Sequence, residues 1–189
     1  MSTDMFEARR KALEEAFFQK QNAELVDKIR TTFLRKATRE ELRKFTGISN
    51  EEVLDRLVAL NVSGETLAAF NLLPLVEVAW ADGKVDDKER EVIVNSLAEE
   101  GIHVGTTAYN LLLNALEHRP TVDGRKAWYA YAEELKHKLT AREREAFVSD
   151  LLRKAHAVAA ASGGLLDLAF TVSPAEKRVL EAIEKAFAV

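Results

Sequence analysis

The sequence predicts an all-α protein, a bundle of roughly seven to nine helices, on three observations. Apolar residues recur at helical spacing along most of the chain, and no segment alternates as a strand would. Alanine, leucine, glutamate and lysine are abundant, whereas the 189 residues include only 8 glycines and 3 prolines. Two stretches share a helix–glycine–helix pattern, which predicts an internal duplication of a helical corner.

The order of the predicted elements suggests an N-terminal helical arm, residues 1–62, followed by a helical domain, residues 63–189. Residues 4–36 have helical periodicity, either as one long helix or as two that separate at Gln19–Asn22. Because so many apolar side chains would be costly to expose, we expect the arm to dock on the domain or on a second copy of the chain. The side chains expected to dock are Phe6, Leu13, Phe17, Ile29 and Phe33.

For the middle of the chain, local sequence signals predict where helices begin and end. A short helix is expected over residues 38–47, and Ser49 has the Ser-x-x-Glu spacing of a capping box that would start the next one. Another helical stretch should begin at Ser63 or Gly64. Pro74 lies within that stretch, where proline either kinks a helix or begins a new one.

The remaining helices are bounded by strong caps and breakers. Glycine or proline is expected to end helices at Gly83, Gly101 and Pro120. Further helices should begin with polar caps at Asp86, Thr106, Thr140 and Ser173.

Bulk properties exclude several classes of function. The net charge of −4 gives no electrostatic attraction to nucleic acid, and the absence of cysteine excludes disulfides and thiolate metal sites. The polar start of the chain lacks the apolar core of a signal peptide, so we expect a cytoplasmic protein. The longest weakly charged run, residues 157–172, is too short for a transmembrane segment.

The first corner brings four carboxylates close together in sequence, at Asp82, Asp86, Asp87 and Glu89. Clustered carboxylates repel one another and supply the oxygen ligands that Ca²⁺ and Mg²⁺ prefer. We therefore expect a weak divalent-cation site formed by Asp82, Asp86 and Glu89, with Asp87 or Glu77 at its edge. The structural alternative is that Asp86 caps a helix and Glu89 completes the capping box without any cation.

The second corner repeats this pattern in weaker form. An apolar helix ends near Gly163, and Ser173 begins the next helix with Glu176 at the reciprocal position of a capping box. Ser162 takes the place of Asp82, and residues 165–171 form an insertion. Because Ser162 carries no charge, we expect no matching cation site here.

The first corner resembles the TerB-like domain, which occurs in tellurite-resistance proteins and in a membrane-anchored DnaJ-type co-chaperone. The resemblance covers roughly residues 64–188 and includes the second corner. It implies an all-helical fold, an acidic surface that binds divalent metal, a role in stress or tellurite responses, and association with membrane partners. The motif that carries it consists of Ala81, Asp82, Gly83, Val85 and Glu89.

Two further runs have a structural and a functional explanation. Trp128 and Tyr131 lie at helical spacing and predict core packing, although the run 128–131 could instead line a ligand groove. Arg35, Arg39 and Arg43 recur every four residues, interleaved with glutamates. They predict a solvated, salt-bridged face, the alternative being a surface for an anionic partner.

The sequence contains no phosphate loop, nucleophile elbow or dinucleotide fingerprint. We therefore expect a non-enzymatic binding module of the tellurite-resistance or stress-response type, which binds a protein partner, such as a membrane-associated protein, or another copy of itself. One alternative is a co-chaperone-like structural adaptor that needs no metal. The other is a metal-dependent hydrolase, which would lack a nucleophile or histidine base beside the acids.

Overall fold

The part of the chain that a computed structural model describes is residues 2–162 and 172–188, without the side chains of residues 2–19, 21–24 and 162. Within these ranges the chain forms nine helices and no strand, so the all-α prediction is confirmed. The helices are α1 (Ser2–Thr46), α2 (Glu51–Ala59), α3 (Leu67–Asn71), α4 (Leu73–Ala79), α5 (Asp87–Glu99), α6 (Thr107–Glu117), α7 (Val122–Lys138), α8 (Ala141–Ser162) and α9 (Pro174–Ala186).

The first helix is continuous over its 45 residues. Of the two predicted alternatives for the arm, one long helix is therefore the correct one. A separate helix beginning at Thr38 is wrong, since the hydroxyl of Thr38 donates to the carbonyl of Leu34, 3.0 Å away, within α1. The helix ends as predicted at Gly47, whose φ of +70° is a left-handed conformation that ordinary residues rarely adopt.

The start of α2 lies one residue later than predicted. Asn50, not Ser49, is the N-cap, and its Oδ1 accepts the amide N–H groups of Glu52 and Val53 at 3.1 and 3.4 Å. Its Nδ2 donates to the carboxylate of Glu134 in α7 at 2.6 Å. Asn50 thus begins one helix and ties it to another.

Two short helices replace the single stretch predicted from Ser63 or Gly64. The first, α3, begins only at Leu67, because the hydroxyl of Thr66 accepts the N–H of Ser63 in a preceding turn, 2.9 Å away. Pro74 is the second residue of α4, where the N–H that proline lacks needs no partner within the helix. Pro74 therefore marks a new helix and not a kink.

The chain divides into two units, Met1–Glu40 and Glu41–Val189. This division falls earlier in the chain than the predicted boundary between residues 62 and 63. The reason is that α2 buries Val53, Leu54 and Leu57 in the same apolar core as the helices that follow it.

The core of the second unit lies around α8, which packs against α4, α5 and α9, while α4 also packs against α5 and α9. Around this group α3 packs on α6 and α2 packs on α7. Both predicted corners, α4–α5 and α8–α9, therefore belong to one group of four helices. Whether the corners superpose stays a prediction, since residues 163–171 lie outside the described part. The largest fully buried side chains include Trp128, Leu75, Ile93, Leu97, Leu112 and Ile183.

A buried lysine joins α8 to the end of α5. Lys154 is 3% exposed, and its Nζ lies 2.6 Å from Oδ2 of Asp150 and pairs with the carboxylate of Glu100. The neighbouring Arg153 reaches Glu99 at 2.8 Å. These pairs satisfy a buried ammonium group that would otherwise be strongly destabilising, so they help to set how α5 lies on α8.

Replacing Asn50 by alanine should lower the free energy of unfolding by about 1–2 kcal/mol, because two amide N–H groups and Glu134 lose a partner. The matched control is Ser49→Ala, which should change stability by less than about 0.5 kcal/mol. Denaturant unfolding followed by circular dichroism measures both changes. Equal losses in the two variants would contradict the placement of the cap at Asn50.

Candidate functional site

The first corner begins where α4 ends. The residues after Ala79 form a turn that closes at Gly83, whose φ of +100° strongly favours glycine. Within this turn, Oδ1 of Asp82 accepts the N–H of Lys84 at 3.1 Å, while the side chain of Asp82 stays exposed. Asp82 therefore already has a local structural role.

The start of α5 is a complete capping box, as predicted. Oδ1 of Asp86 accepts the N–H of Glu89, and Oε2 of Glu89 accepts the N–H of Asp86, both at 2.9 Å. Two amide groups that no helical carbonyl can reach are satisfied in this way. Asp87 lies exposed in the first turn of the same helix, where a negative charge is favoured by the helix dipole.

The start of α9, in the second corner, is also a complete capping box. The N–H of Glu176 donates to Oγ of Ser173 at 3.2 Å, and the N–H of Ser173 donates to Oε2 of Glu176 at 2.6 Å. The part of this corner from Gly163 to Thr171 lies outside the described residues, as does the side chain of Ser162. The expectation that Ser162 leaves the second corner without a cation site is therefore untested.

The two box glutamates are both buried and lie close enough to influence each other. Glu89 and Glu176 are each 3% exposed. The pKa of Glu89 is raised from 4.5 to about 7, mainly by burial and to a smaller extent by the negative charges of Asp86, Asp82 and Glu176, against the lowering effect of the hydrogen bond from the Asp86 amide. Glu176 is thus a member of the acidic site that sequence reasoning missed, although the repeated capping box was a signal for it.

The predicted cation site does not have a ready set of ligands. Among the described residues, no three or more histidine, aspartate or glutamate side chains form a group that could hold a metal ion. The carboxylates of Asp82, Asp86 and Glu89 accept backbone N–H groups instead, which is the structural alternative given by the sequence. The divalent-cation site at Asp82, Asp86, Asp87 and Glu89 stays a prediction.

Glu77, expected at the edge of that site, has a different environment. Its carboxyl group hydrogen-bonds the side chain of Tyr129 in α7, and both residues line a cavity. Glu77 is therefore better described as part of that cavity than as a cation ligand.

A second candidate surface is found on α1. Between residues 25 and 34 of this helix, five large apolar side chains are 55–72% exposed, and we refer to them as the α1 face. Ile29 and Phe33, which sequence periodicity assigned to docking, belong to it, whereas the side chains of Phe6, Leu13 and Phe17 lie outside the described ones. The α1 face consists of Leu25, Val26, Ile29, Phe33 and Leu34.

Comparison with known proteins adds no relative: no family model, no curated protein and no solved structure matches this chain. The TerB-like resemblance therefore depends on the motif residues themselves. Within the described residues, none of the helices combines the length and apolar composition needed to cross a bilayer.

The burial of Glu89 predicts a pH dependence of stability. Since its pKa is 4.5 ordinarily and about 7 in the folded protein, its contribution to stability is full below about pH 4.5 and is lost as the pH rises to about 7. Glu89→Gln keeps an acceptor for the capping box and should make this loss smaller by about 1–3 kcal/mol. Unfolding free energies measured between about pH 5 and 8 test this.

The same series has an internal check. Carboxyl groups with a lowered pKa, such as Asp150 beside Lys154 and Arg153, titrate below this range and leave the comparison unaffected. An equal fall of stability with pH in the parent and in Glu89→Gln would show that Glu89 is not the group responsible.

The cation prediction is tested by Asp82→Asn combined with Asp86→Asn, in which asparagine preserves the helix cap. If the site exists, Ca²⁺ should raise the melting temperature of the parent with a dissociation constant on the order of 10⁻⁴ to 10⁻³ M. The increase should vanish in the double variant. If neither Ca²⁺ nor Mg²⁺ changes the melting temperature of the parent, the cation site is refuted and these carboxylates have only a structural role.

Proposed function

We propose that this chain is a non-enzymatic helical binding module of the TerB-like, stress-response type, which works by binding a protein partner through the α1 face. The observation that carries this proposal is the exposure of five large apolar side chains along ten residues of one helix. Scattered apolar residues are normal on protein surfaces, but contiguous apolar patches commonly mark sites of interaction.

The geometry of the α1 face supports docking of a single elongated partner surface. Leu25, Ile29 and Phe33 follow one another at four-residue intervals, so they project from the same side of the helix. Val26 and Leu34 widen this stripe. In the unit to which they belong, Met1–Glu40, the described residues 2–40 all lie in α1, so this described part has no second element to cover them.

The charge around the α1 face indicates the kind of partner. Residues 25–39 include five basic side chains and one acidic side chain, a net charge of +4, whereas the whole chain carries −4. Two such basic stretches would repel each other if they paired side by side, which disfavours a symmetric α1–α1 dimer. We therefore favour a different protein, with an apolar docking surface bordered by acidic side chains.

The other functions expected from the sequence have less support. A co-chaperone-like adaptor would use the same face and needs no cation, so it differs from this proposal only in the identity of its partner. A metal-dependent hydrolase has no observation in its favour among the described residues.

Ile29→Ala combined with Phe33→Ala should weaken partner binding by at least about tenfold, because apolar anchors at the centre of an interface dominate its energy. Val104→Ala is the matched control, since Val104 is 80% exposed and lies in the second unit. Quantitative affinity capture with the three proteins selects partners that the double variant loses and the control retains. Their affinities are then measured with purified components.

The proposal also predicts that the isolated chain sediments as a monomer at micromolar concentration, and that complex formation weakens with salt. If the parent dimerises as its concentration rises and the double variant does not, then the partner is a second copy of the chain and not a different protein. Equal capture by parent and double variant would rule out the α1 face as the binding surface.

A further inference from the structure

A cavity of about 240 Å³ lies in the second unit between α4, the α6–α7 connection, α7 and α9. All of its lining residues belong to the second unit, and the sequence did not indicate it, because its polar residues come from four separate segments. Apolar groups such as Pro120 and Val179 form part of its wall. Its polar and aromatic lining consists of Glu77, Trp80, Arg119, Arg125, Tyr129 and Arg178.

The carboxyl group of Glu77 is the buried acid of this cavity. One of its oxygens, Oε1, is buried without a hydrogen-bond partner among the described residues. Burial raises the pKa of Glu77 to about 7, against the lowering effects of Arg125, the Tyr129 hydrogen bond and Arg119. A buried polar atom with no protein partner is unusual in a native fold, and this one belongs to a residue that lines a cavity.

The positive charge around Glu77 exceeds what one carboxylate requires. Three guanidinium groups line the cavity, so its net charge is positive whether or not Glu77 is ionised. Within the described part of the chain, the ion pairs of the second unit are made by other basic residues, and Arg119, Arg125 and Arg178 are in none of them.

We propose that this cavity binds a small organic molecule through an oxyanion group, which Arg119, Arg125 and Arg178 hold beside Glu77. Planar guanidinium groups suit the oxygens of phosphate, sulfate and carboxylate, and several of them together favour an anion over any cation. The apolar wall of Pro120 and Val179 accommodates the uncharged part of the ligand. Glu77 then selects among ligands, because its Oε1 can accept a hydrogen bond from a ligand that carries a hydroxyl or amine group.

Inorganic sulfate is a suitable probe, because it carries the oxyanion group and does not titrate near neutral pH. The indole N–H of Trp80 reports on binding: it donates to the carbonyl of Ala115 at 3.0 Å, and Trp80 lines the cavity. The protein has two tryptophans, and Trp128, which is buried and does not line the cavity, supplies an internal reference signal. Titration with sulfate at about pH 8 and constant ionic strength should shift the Trp80 resonance saturably and the Trp128 resonance little.

Two substitutions should change the affinity in opposite directions. Arg178→Gln removes a positive charge from the cavity and should weaken sulfate binding by about fivefold to tenfold. Lys177→Gln is its matched control, because Lys177 is the exposed neighbour on α9, carries the same charge and does not line the cavity. Glu77→Gln removes the negative charge and should tighten sulfate binding by about threefold or more.

Each outcome decides the proposal. Arg178 is exposed, so its replacement should leave the fold intact, which the dispersion of the amide spectrum checks. The absence of a saturable shift at Trp80, or equal weakening by Arg178→Gln and Lys177→Gln, would refute the anion site. If sulfate binds as expected, phosphate monoesters and small carboxylates compared in the same titration identify the preferred oxyanion. None of these results depends on whether the α1 face binds a protein.

Discussion

The second unit depends on one constraint, which is that the first turns of α5 and α9 pack partly against the group formed by α4, α5, α8 and α9. The first amide N–H groups of α5 and α9 have no helical carbonyl to bond, so each start needs acceptors that can be buried with it. Capping boxes meet this need, and they place the carboxylates of Glu89 and Glu176 in the interior at 3% exposure each. The carboxylates of the capping boxes therefore serve first as acceptors for backbone N–H groups. The raised pKa of Glu89 follows from the burial that accompanies this role.

Three buried or half-buried glutamates of this unit are stabilised in two different ways. The carboxylates of Glu89 and Glu176 each accept a hydrogen bond from the backbone N–H of the N-cap residue of their own helix. Glu77 has no cap to complete. It hydrogen-bonds Tyr129 and shares its cavity with arginines from three other segments, and its Oε1 has no partner among the described residues. Because of this difference, the carboxylates of the corner have a structural role. In the cavity, by contrast, Glu77 has an acceptor without a partner and the arginines carry excess positive charge.

Charge is distributed unevenly along the chain. Residues 25–39 carry a net charge of +4, whereas the second unit, residues 41–189, has 18 basic and 24 acidic side chains and therefore a net charge of −6. Within that unit Lys154 is buried with Asp150 and Glu100, so one cation is committed to joining α8 and α5. For the basic residues beside the α1 face and those around the cavity we propose two separate ligands, an acidic protein surface and a small anionic molecule.

The sequence alone determined the features that depend on contacts within a few residues. The boxes at Asp86, Thr140 and Ser173 join atoms three residues apart, so their spacing was enough to predict them. Helical periodicity likewise predicted the apolar stripe of α1, although not that it stays exposed. The tertiary structure decided what depends on distant partners: Asn50 rather than Ser49 caps α2 and bonds Glu134, 84 residues away. The same holds for the cavity, because Glu77, Arg125 and Arg178 meet only when α4, α7 and α9 pack together, and helix packing is set by the whole core rather than by local spacing.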